Sequence, residues 1–224
     1  MTSEWNWRIA KSSVFGICLL PFVLLFIDAL NDALGPDPIE TLHFRTGDWT
    51  LRFLMITLAL TPLKLLFDWK FQLRFRRMLG LFAFFYASLH FCVYFGLDLS
   101  LSWEQIVDEV PKNPYVLVGL TAYLLLIPLA ATSTRKMVQR LGKNWKKLHR
   151  LVYAVGCLGV LHFFWLVKAD LREPSIYASV LAVLLGIRIV QSVRKKRSMT
   201  KSIGIPRSVN LKTAVEPSNS TSPD

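Results

Sequence analysis

The chain has 224 residues, is 53% hydrophobic with a mean hydropathy of +0.39, and carries a formal net charge of +12. This composition is too apolar for a typical soluble domain. A protein that binds a nucleic-acid duplex gathers its basic residues on one folded polar face. Here they lie in short connectors between apolar runs, which is the pattern of an integral membrane protein and excludes nucleic acid as a partner.

Six apolar segments are long enough to cross a bilayer core of about 30 Å, which requires about 20 residues in a helix. The first is not a cleavable signal, because it contains Pro21, extends to Asp28 and is followed by five further segments. The sequence therefore predicts an all-α integral membrane protein with six transmembrane helices. The predicted spans are Ser12–Leu30, Trp49–Phe67, Met78–Leu97, Tyr115–Thr132, Leu148–Val167 and Ile176–Val193.

The distribution of charge predicts the orientation of these helices. With the N-terminus in the cytoplasm, 22 of the 27 Lys and Arg residues lie on the inner side, and 11 of the 15 acidic residues lie outside. The excess of basic residues in cytoplasmic loops then places both termini in the cytoplasm. Residues 1–11 form a cytoplasmic lead, residues 12–193 the membrane domain, and residues 194–224 a basic, then polar, disordered tail.

The connectors carry their own signals. The first outer loop, Asn31–Asp48, contains the turn-forming run Gly35-Pro36-Asp37-Pro38, which excludes a continuous helix. His43 lies in this polar loop and is predicted to be solvent-exposed rather than functional. Pro62 predicts a kink or exit near the inner end of the second span, and the basic connector Asp68–Arg77 faces anionic inner-leaflet lipid.

Two further features concern the loops and the cysteines. The outer loop Asp98–Pro114 carries apolar residues at helical spacing, which predicts a short interfacial helix. The three cysteines lie within spans without CxxC spacing, so no disulfide is expected. The apolar residues of the loop are Trp103, Ile106, Val107 and Val110.

Three of the four histidines lie in or beside predicted spans, where ionisable side chains are costly and are kept mainly when they have a partner. His90 is 13 residues from the inner end of the third span, and His162 is 13 residues beyond His149 in the fifth, so both lie about 20 Å along their helices. Two imidazoles at equal depth on neighbouring helices can ligate one haem iron from opposite faces.

His149 has no such partner. The matching inner positions of the third span are Arg76 and Arg77, and arginine is no axial ligand, although it pairs with haem propionates, flavin phosphate or lipid headgroups. On an ideal helix, His149 and His162 point about 140° apart. The sequence therefore does not decide whether a second haem is bound at His149. A position at the membrane surface explains this histidine equally well.

Two other classes of function are alternatives to an electron conduit. A histidine-lined proton or metal-ion transporter without a redox cofactor would require acidic residues buried in mid-span, and the sequence has almost none. A structural anchor for another subunit leaves three placed histidines unexplained. There is no GxGxxG or Walker motif, so an electron donor must come from the membrane or from another protein.

Several local strings, in order over about residues 10–193, resemble the MsrQ (YedZ) family. This family comprises the haem-binding membrane subunits of the bacterial periplasmic protein-methionine-sulfoxide reductase system. The chain is also similar, more distantly, to the membrane domains of ferric reductases and NADPH oxidases. The strings are Arg76-Arg77-Met78-Leu79-Gly80-Leu81, Leu89-His90, Lys112-Asn113-Pro114-Tyr115, Ala131-Thr132-Ser133-Thr134 and Trp145-Lys146-Lys147-Leu148-His149-Arg150-Leu151-Val152-Tyr153.

The resemblance implies a multi-pass protein of the bacterial inner membrane that is an electron-transfer subunit rather than the catalytic subunit. Electrons would pass from the quinone pool to a periplasmic molybdopterin-containing reductase that repairs methionine sulfoxide in proteins. The resemblance also implies haem b at the positions of His90, His149 and His162, and a flavin mononucleotide (FMN) in at least some members. We expect Arg77 and Arg150 to bind the anionic part of a cofactor near His149.

Overall fold

The computed structural model describes residues 2–67, 74–167 and 170–203, without the side chains of residues 2–5, 65–67 and 195–203. Part of the basic connector (residues 68–73) and residues 204–224 of the predicted tail lie outside this description. The described chain is helical and contains no strand. Its helices are α1 (Thr2–Leu30), α2 (Pro38–Phe67), α3 (Arg76–Cys92) with a π-helical continuation (Val93–Asp98), α4 (Trp103–Lys112), α5 (Pro114–Ala131), α6 (Arg135–Leu141), α7 (Lys143–Leu148), α8 (Leu151–Leu166) and α9 (Arg172–Ile203).

Five stretches of helix are long and apolar enough to cross a membrane, which confirms the prediction of a multi-pass, all-helical membrane protein. The second predicted span falls within α2, which is not one of the five. The five stretches are Asn6–Leu30, Arg76–Asp98, Pro114–Ala131, Lys143–Leu166 and Arg172–Arg194.

The turn between α1 and α2 is as predicted, but it is shorter than the expected loop. Gly35 has a φ of +92°, a conformation that residues with a side chain rarely adopt. The side chain of Asp37 accepts a hydrogen bond from the backbone N–H of Glu40 at 2.9 Å and so caps α2. Because Pro38 is suited to the first position of a helix, α2 begins there rather than after Asp48. The helix also continues through Pro62 to Phe67.

Four helices surround the core that positions the candidate site. α2 packs along α3 and α5 along α8, while contacts between α2 and α8 and between α3 and α5 join the two pairs. Tyr86, Leu58 and Val155 are among the most deeply buried side chains of this core. Apolar side chains elsewhere on the helices are exposed, among them Phe15 and Ile17 of α1, as expected for surfaces that face lipid.

Tyr86 connects α3 to α1 through the backbone of α1. Its hydroxyl accepts a hydrogen bond from the N–H of Phe22 at 3.0 Å and donates one to the carbonyl of Cys18 at 2.9 Å. Phe22 and Cys18 are four residues apart, so the hydroxyl bridges an N–H and a carbonyl that bond directly to each other in a regular α-helix. Such an insertion, beside Pro21, is a recognised cause of a helix bend.

The expected short helix between α3 and α5 is present as α4. The hydroxyl of Ser102 caps it by accepting from the N–H of Gln105 at 3.4 Å. Val110 is buried, whereas Trp103 and Val107 of the predicted apolar face are exposed. The cysteines Cys18, Cys92 and Cys157 are free, as predicted.

Candidate functional site

Two of the predicted histidines come together in the bundle. His90 near the end of α3 and His162 near the end of α8 have ring centroids 6.1 Å apart, with ring planes at 82° to each other. Both line a cavity of about 350 Å³ between α2, α3, α5 and α8, which we call the outer cavity. Equal depth in neighbouring helices predicted this pairing.

The backbone of a neighbouring helix fixes the protonation of each ring. Nδ1 of His162 lies 2.7 Å from the carbonyl oxygen of Tyr115, and Nδ1 of His90 lies 3.1 Å from that of His43. A carbonyl oxygen only accepts hydrogen bonds, so each Nδ1 carries the proton and each Nε2 keeps its lone pair. Histidines that bind metals are typically held in this way by their second ring nitrogen.

A glycine makes room for each imidazole. A Cβ atom at Gly119 would lie 2.8 Å from Nδ1 of His162, and one at Gly47 would lie 3.2 Å from Cε1 of His90. Each glycine follows the carbonyl that binds the ring by four residues, and therefore by about one helical turn. The sequence analysis did not identify either glycine, because no residue type marks Tyr115 and His43 as the residues whose carbonyls bind the rings.

The geometry fits the haem that the sequence predicts. Imidazole nitrogens bond metals at about 2 Å, so one metal between two opposed imidazoles separates the ring centres by roughly 6 Å. The observed separation is 6.1 Å. The walls of the outer cavity are largely apolar and aromatic, as is usual for a cofactor pocket. They include Phe91, Tyr94, Phe95 and Tyr123.

The structure corrects the prediction that His43 is a solvent-exposed loop residue. Since α2 begins at Pro38, His43 lies within the helix and lines the outer cavity. Its ring is half-buried, 5.2 Å from the ring of His90 and 5.7 Å from that of Tyr94. Its Nε2 is buried and has no hydrogen-bond partner in the described part of the chain.

A polar network lies at the rim of the outer cavity. Asp48 of α2 binds Arg52 through an ion pair at 2.5 Å and accepts a hydrogen bond from the hydroxyl of Tyr177 in α9. Asp98 and Glu173 also line the cavity. The network therefore joins α9 to α2 beside an acidic rim.

A second cavity, of about 270 Å³, contains the remaining predicted histidine, and we call it the inner cavity. Nδ1 of His149 lies 3.1 Å from the carbonyl oxygen of Trp145, so its proton is again on Nδ1. The indole of Trp145 stacks on the imidazole at 3.9 Å and donates its N–H to the carbonyl of Thr132 at 3.0 Å. Nε2 of His149 and Oγ1 of Thr57 are buried without a hydrogen-bond partner among the described residues.

The arginines predicted near His149 divide into two groups. Arg76 and Arg77 line the inner cavity, whereas Arg150 is exposed and is not part of its lining. The structure also corrects the assumption of one continuous helix. α7 ends at Leu148 and α8 begins at Leu151, so His149 and Arg150 form a turn with helical dihedral angles, and the angle of about 140° to His162 calculated for a regular helix is only approximate.

The two cavities lie close together along the bundle. On α8, Val152 lines the inner cavity and Val155 the outer one. On α3, Phe84 lines the inner cavity and Ala87 the outer one. Three residues correspond to about 4.5 Å of helix, so groups bound in the two cavities would be near neighbours.

Comparison with known proteins is consistent with this arrangement. The family model described as "Ferric reductase like transmembrane component" matches residues 46–160. The "Protein-methionine-sulfoxide reductase heme-binding subunit MsrQ" of Xanthomonas campestris pv. campestris (strain 8004) is 49% identical over 203 residues, which cover 88% of this chain and 93% of that protein. The protein of the same name from Rhodospirillum rubrum is 50% identical over 192 residues, which cover 85% and 92%. No solved structure matches significantly.

Proposed function

The chain belongs to the MsrQ family, and from this membership we propose that it carries electrons across the membrane to a protein-methionine-sulfoxide reductase. Quinol on the cytoplasmic side is the donor. The acceptor is a periplasmic molybdopterin-containing subunit, which reduces methionine sulfoxide in proteins. The chain itself is the electron-transfer subunit of this system, in the bacterial inner membrane.

One observation carries the proposal: two imidazoles from different helices lie with their ring centroids 6.1 Å apart, and both Nδ1 atoms are bound to backbone carbonyls. With both Nδ1 atoms occupied in this way, the two Nε2 atoms keep the lone pairs that would ligate one metal. His90 and His162 hold haem b in the outer cavity. Haem supplies a one-electron couple there, while the protein supplies position and electrostatic tuning.

The proposed topology has six membrane-spanning helices, with α2 as the sixth. α2 has 30 residues, or about 45 Å of helix, and packs along α3 and against α8. Since both neighbours are candidate spans, α2 crosses the same depth of membrane. With 22 of 27 basic residues on the inner side, both termini are cytoplasmic.

The inner cavity is the proposed entry point for electrons. Arg77 and His149 supply cationic and hydrogen-bonding groups around unpartnered polar atoms, which suits the phosphate of FMN, the propionates of a second haem or the head of a quinol. Arg150 is exposed and assists only at the membrane surface. The short distance between the cavities supports transfer from one to the other.

The proposal for the outer cavity is tested by the absorption spectrum of the purified protein. We expect a Soret band and a measurable haem-to-protein ratio by pyridine haemochrome assay. The double variant His90→Ala/His162→Ala should lower this ratio by one haem per chain. An unchanged ratio in a folded double variant would refute the assignment.

The inner cavity requires separate measurements. His149→Ala and Arg77→Ala should each reduce the flavin or second-haem content and slow the reduction of the remaining haem by quinol. Arg150→Ala is the matched control, since it removes a nearby arginine that does not line the cavity. Equal effects of Arg77→Ala and Arg150→Ala would contradict a specific role for the cavity.

A further inference from the structure

Thr46 contacts His90 in a defined donor and acceptor arrangement. Its side chain is almost fully buried, at 1% exposure. The hydroxyl lies 2.7 Å from the carbonyl of Leu42 and 3.3 Å from Nδ1 of His90. Because a hydroxyl has one proton and the carbonyl can only accept it, the lone pairs of Oγ1 face the N–H of His90. Thr46 is therefore an acceptor toward this ring.

The two histidines of the outer cavity are consequently inequivalent. The N–H of His90 has two acceptors, the His43 carbonyl at 3.1 Å and the Thr46 hydroxyl at 3.3 Å. For the N–H of His162, the Tyr115 carbonyl at 2.7 Å is the acceptor. Thr46 lies three residues after His43, whose carbonyl binds His90. The corresponding position in α5 is Val118, which has no hydroxyl.

We propose that Thr46 is a positioning residue that holds His90 in one ring plane and lowers the reduction potential of the haem bound there. Hydrogen-bond acceptors on the outer nitrogen raise the basicity of a ligating histidine. A more basic ligand stabilises the oxidised, more positively charged iron. The inference rests on the proposed function of the outer cavity.

The test compares three variants of the full-length, haem-loaded protein. Thr46→Val removes the hydroxyl and keeps the shape, whereas Thr46→Ser keeps the hydroxyl. Thr121→Val is the matched control, because Thr121 makes the same bond to the carbonyl four residues earlier, also at 2.7 Å, on an exposed face outside the outer cavity. The readouts are the midpoint potential and the low-spin EPR spectrum.

Thr46→Val should raise the midpoint potential of the haem. We expect a rise of up to about 59 mV, which corresponds to a tenfold change in the equilibrium between ferric and ferrous haem. The substitution should also alter the EPR anisotropy, which depends on the angle between the two ring planes. Thr46→Ser and Thr121→Val should retain the wild-type values.

A haem-loaded Thr46→Val protein with wild-type potential and EPR spectrum would overturn the inference. If Thr46→Val does not fold, Thr46→Ala removes the same hydroxyl without added bulk and takes its place. Failure of both variants to fold would assign the hydroxyl a purely structural role and would also overturn the inference. A wild-type protein without haem would instead refute the proposed function.

Discussion

Gly119→Ala is the sharpest test of how the outer cavity is built. The new Cβ would lie 2.8 Å from Nδ1 and 2.9 Å from Cε1 of His162, whereas ordinary contacts begin at 3.4 Å. The ring must therefore recede by about 0.6 Å, or the two helices must separate. A shift of this size along the 2.7 Å bond to the Tyr115 carbonyl stretches it to about 3.3 Å, past the most common N···O length of about 2.9–3.0 Å, and so weakens it.

The loss can be estimated from similar sites. Removal of the group that orients a metal-binding histidine typically costs 10–100-fold in metal affinity, or about 1.4–2.7 kcal/mol. Because Gly119→Ala weakens this bond without removing the carbonyl, we expect haem binding to weaken by up to about tenfold, the lower end of that range. Haem titration of the protein in detergent, followed at the Soret band, measures this affinity directly.

Two other glycines provide a graded comparison. At Gly47 the added Cβ would lie 3.2 Å from the His90 ring, so Gly47→Ala should have a smaller effect. At Gly16 nothing lies within 4 Å, and Gly16→Ala should leave haem affinity unchanged. The expected order of loss is Gly119, Gly47, Gly16. Wild-type haem affinity in Gly119→Ala would show that the His162 ring does not depend on the space left by Gly119.

Three further substitutions each test the contribution of one side chain to haem binding or to stability. His43→Ala should retain haem, because the backbone carbonyl that binds His90 remains; loss of haem equal to that of His90→Ala would contradict this. Tyr86→Phe should destabilise the fold by about 1–3 kcal/mol, since it removes the bridge between Phe22 and Cys18, and an unchanged thermal midpoint would be inconsistent with the bridge. Asp28→Asn breaks an exposed ion pair with Arg45 and should cost less than about 1 kcal/mol; a larger loss on thermal unfolding would show that the pair is structurally important.

The sequence was sufficient to pair His90 with His162, because helical rise is constant and both spans begin at clear basic boundaries. Depth along a helix can therefore be counted from residues alone. The identity of the groups that bind Nδ1 could not be predicted in this way. They are backbone carbonyls of His43 and Tyr115, and every residue has a carbonyl, so no residue type marks them.

His43 was misjudged for a different reason. The run that ends at Pro38 stops α1 but does not prevent a new helix, since proline is tolerated in the first helical turn. Polar residues such as Arg45 and Asp48 made the following segment resemble a loop. In the structure Arg45 forms an ion pair with Asp28 and Asp48 forms one with Arg52. The apolar part of α2 follows these residues without a break.

The presence of two cavities resolves the difficulty that the sequence raised about the direction of His149. On α8, the residues Val152, Val155, Gly159 and His162 line the cavities at spacings of three and four, and so form one face of the helix. An unbroken helix would direct His149 about 140° away from His162. His149 lies in the turn between α7 and α8, where its ring stacks on Trp145 and lines the inner cavity rather than the outer one. The two histidines of this segment therefore line different cavities and need not point in the same direction from one helix.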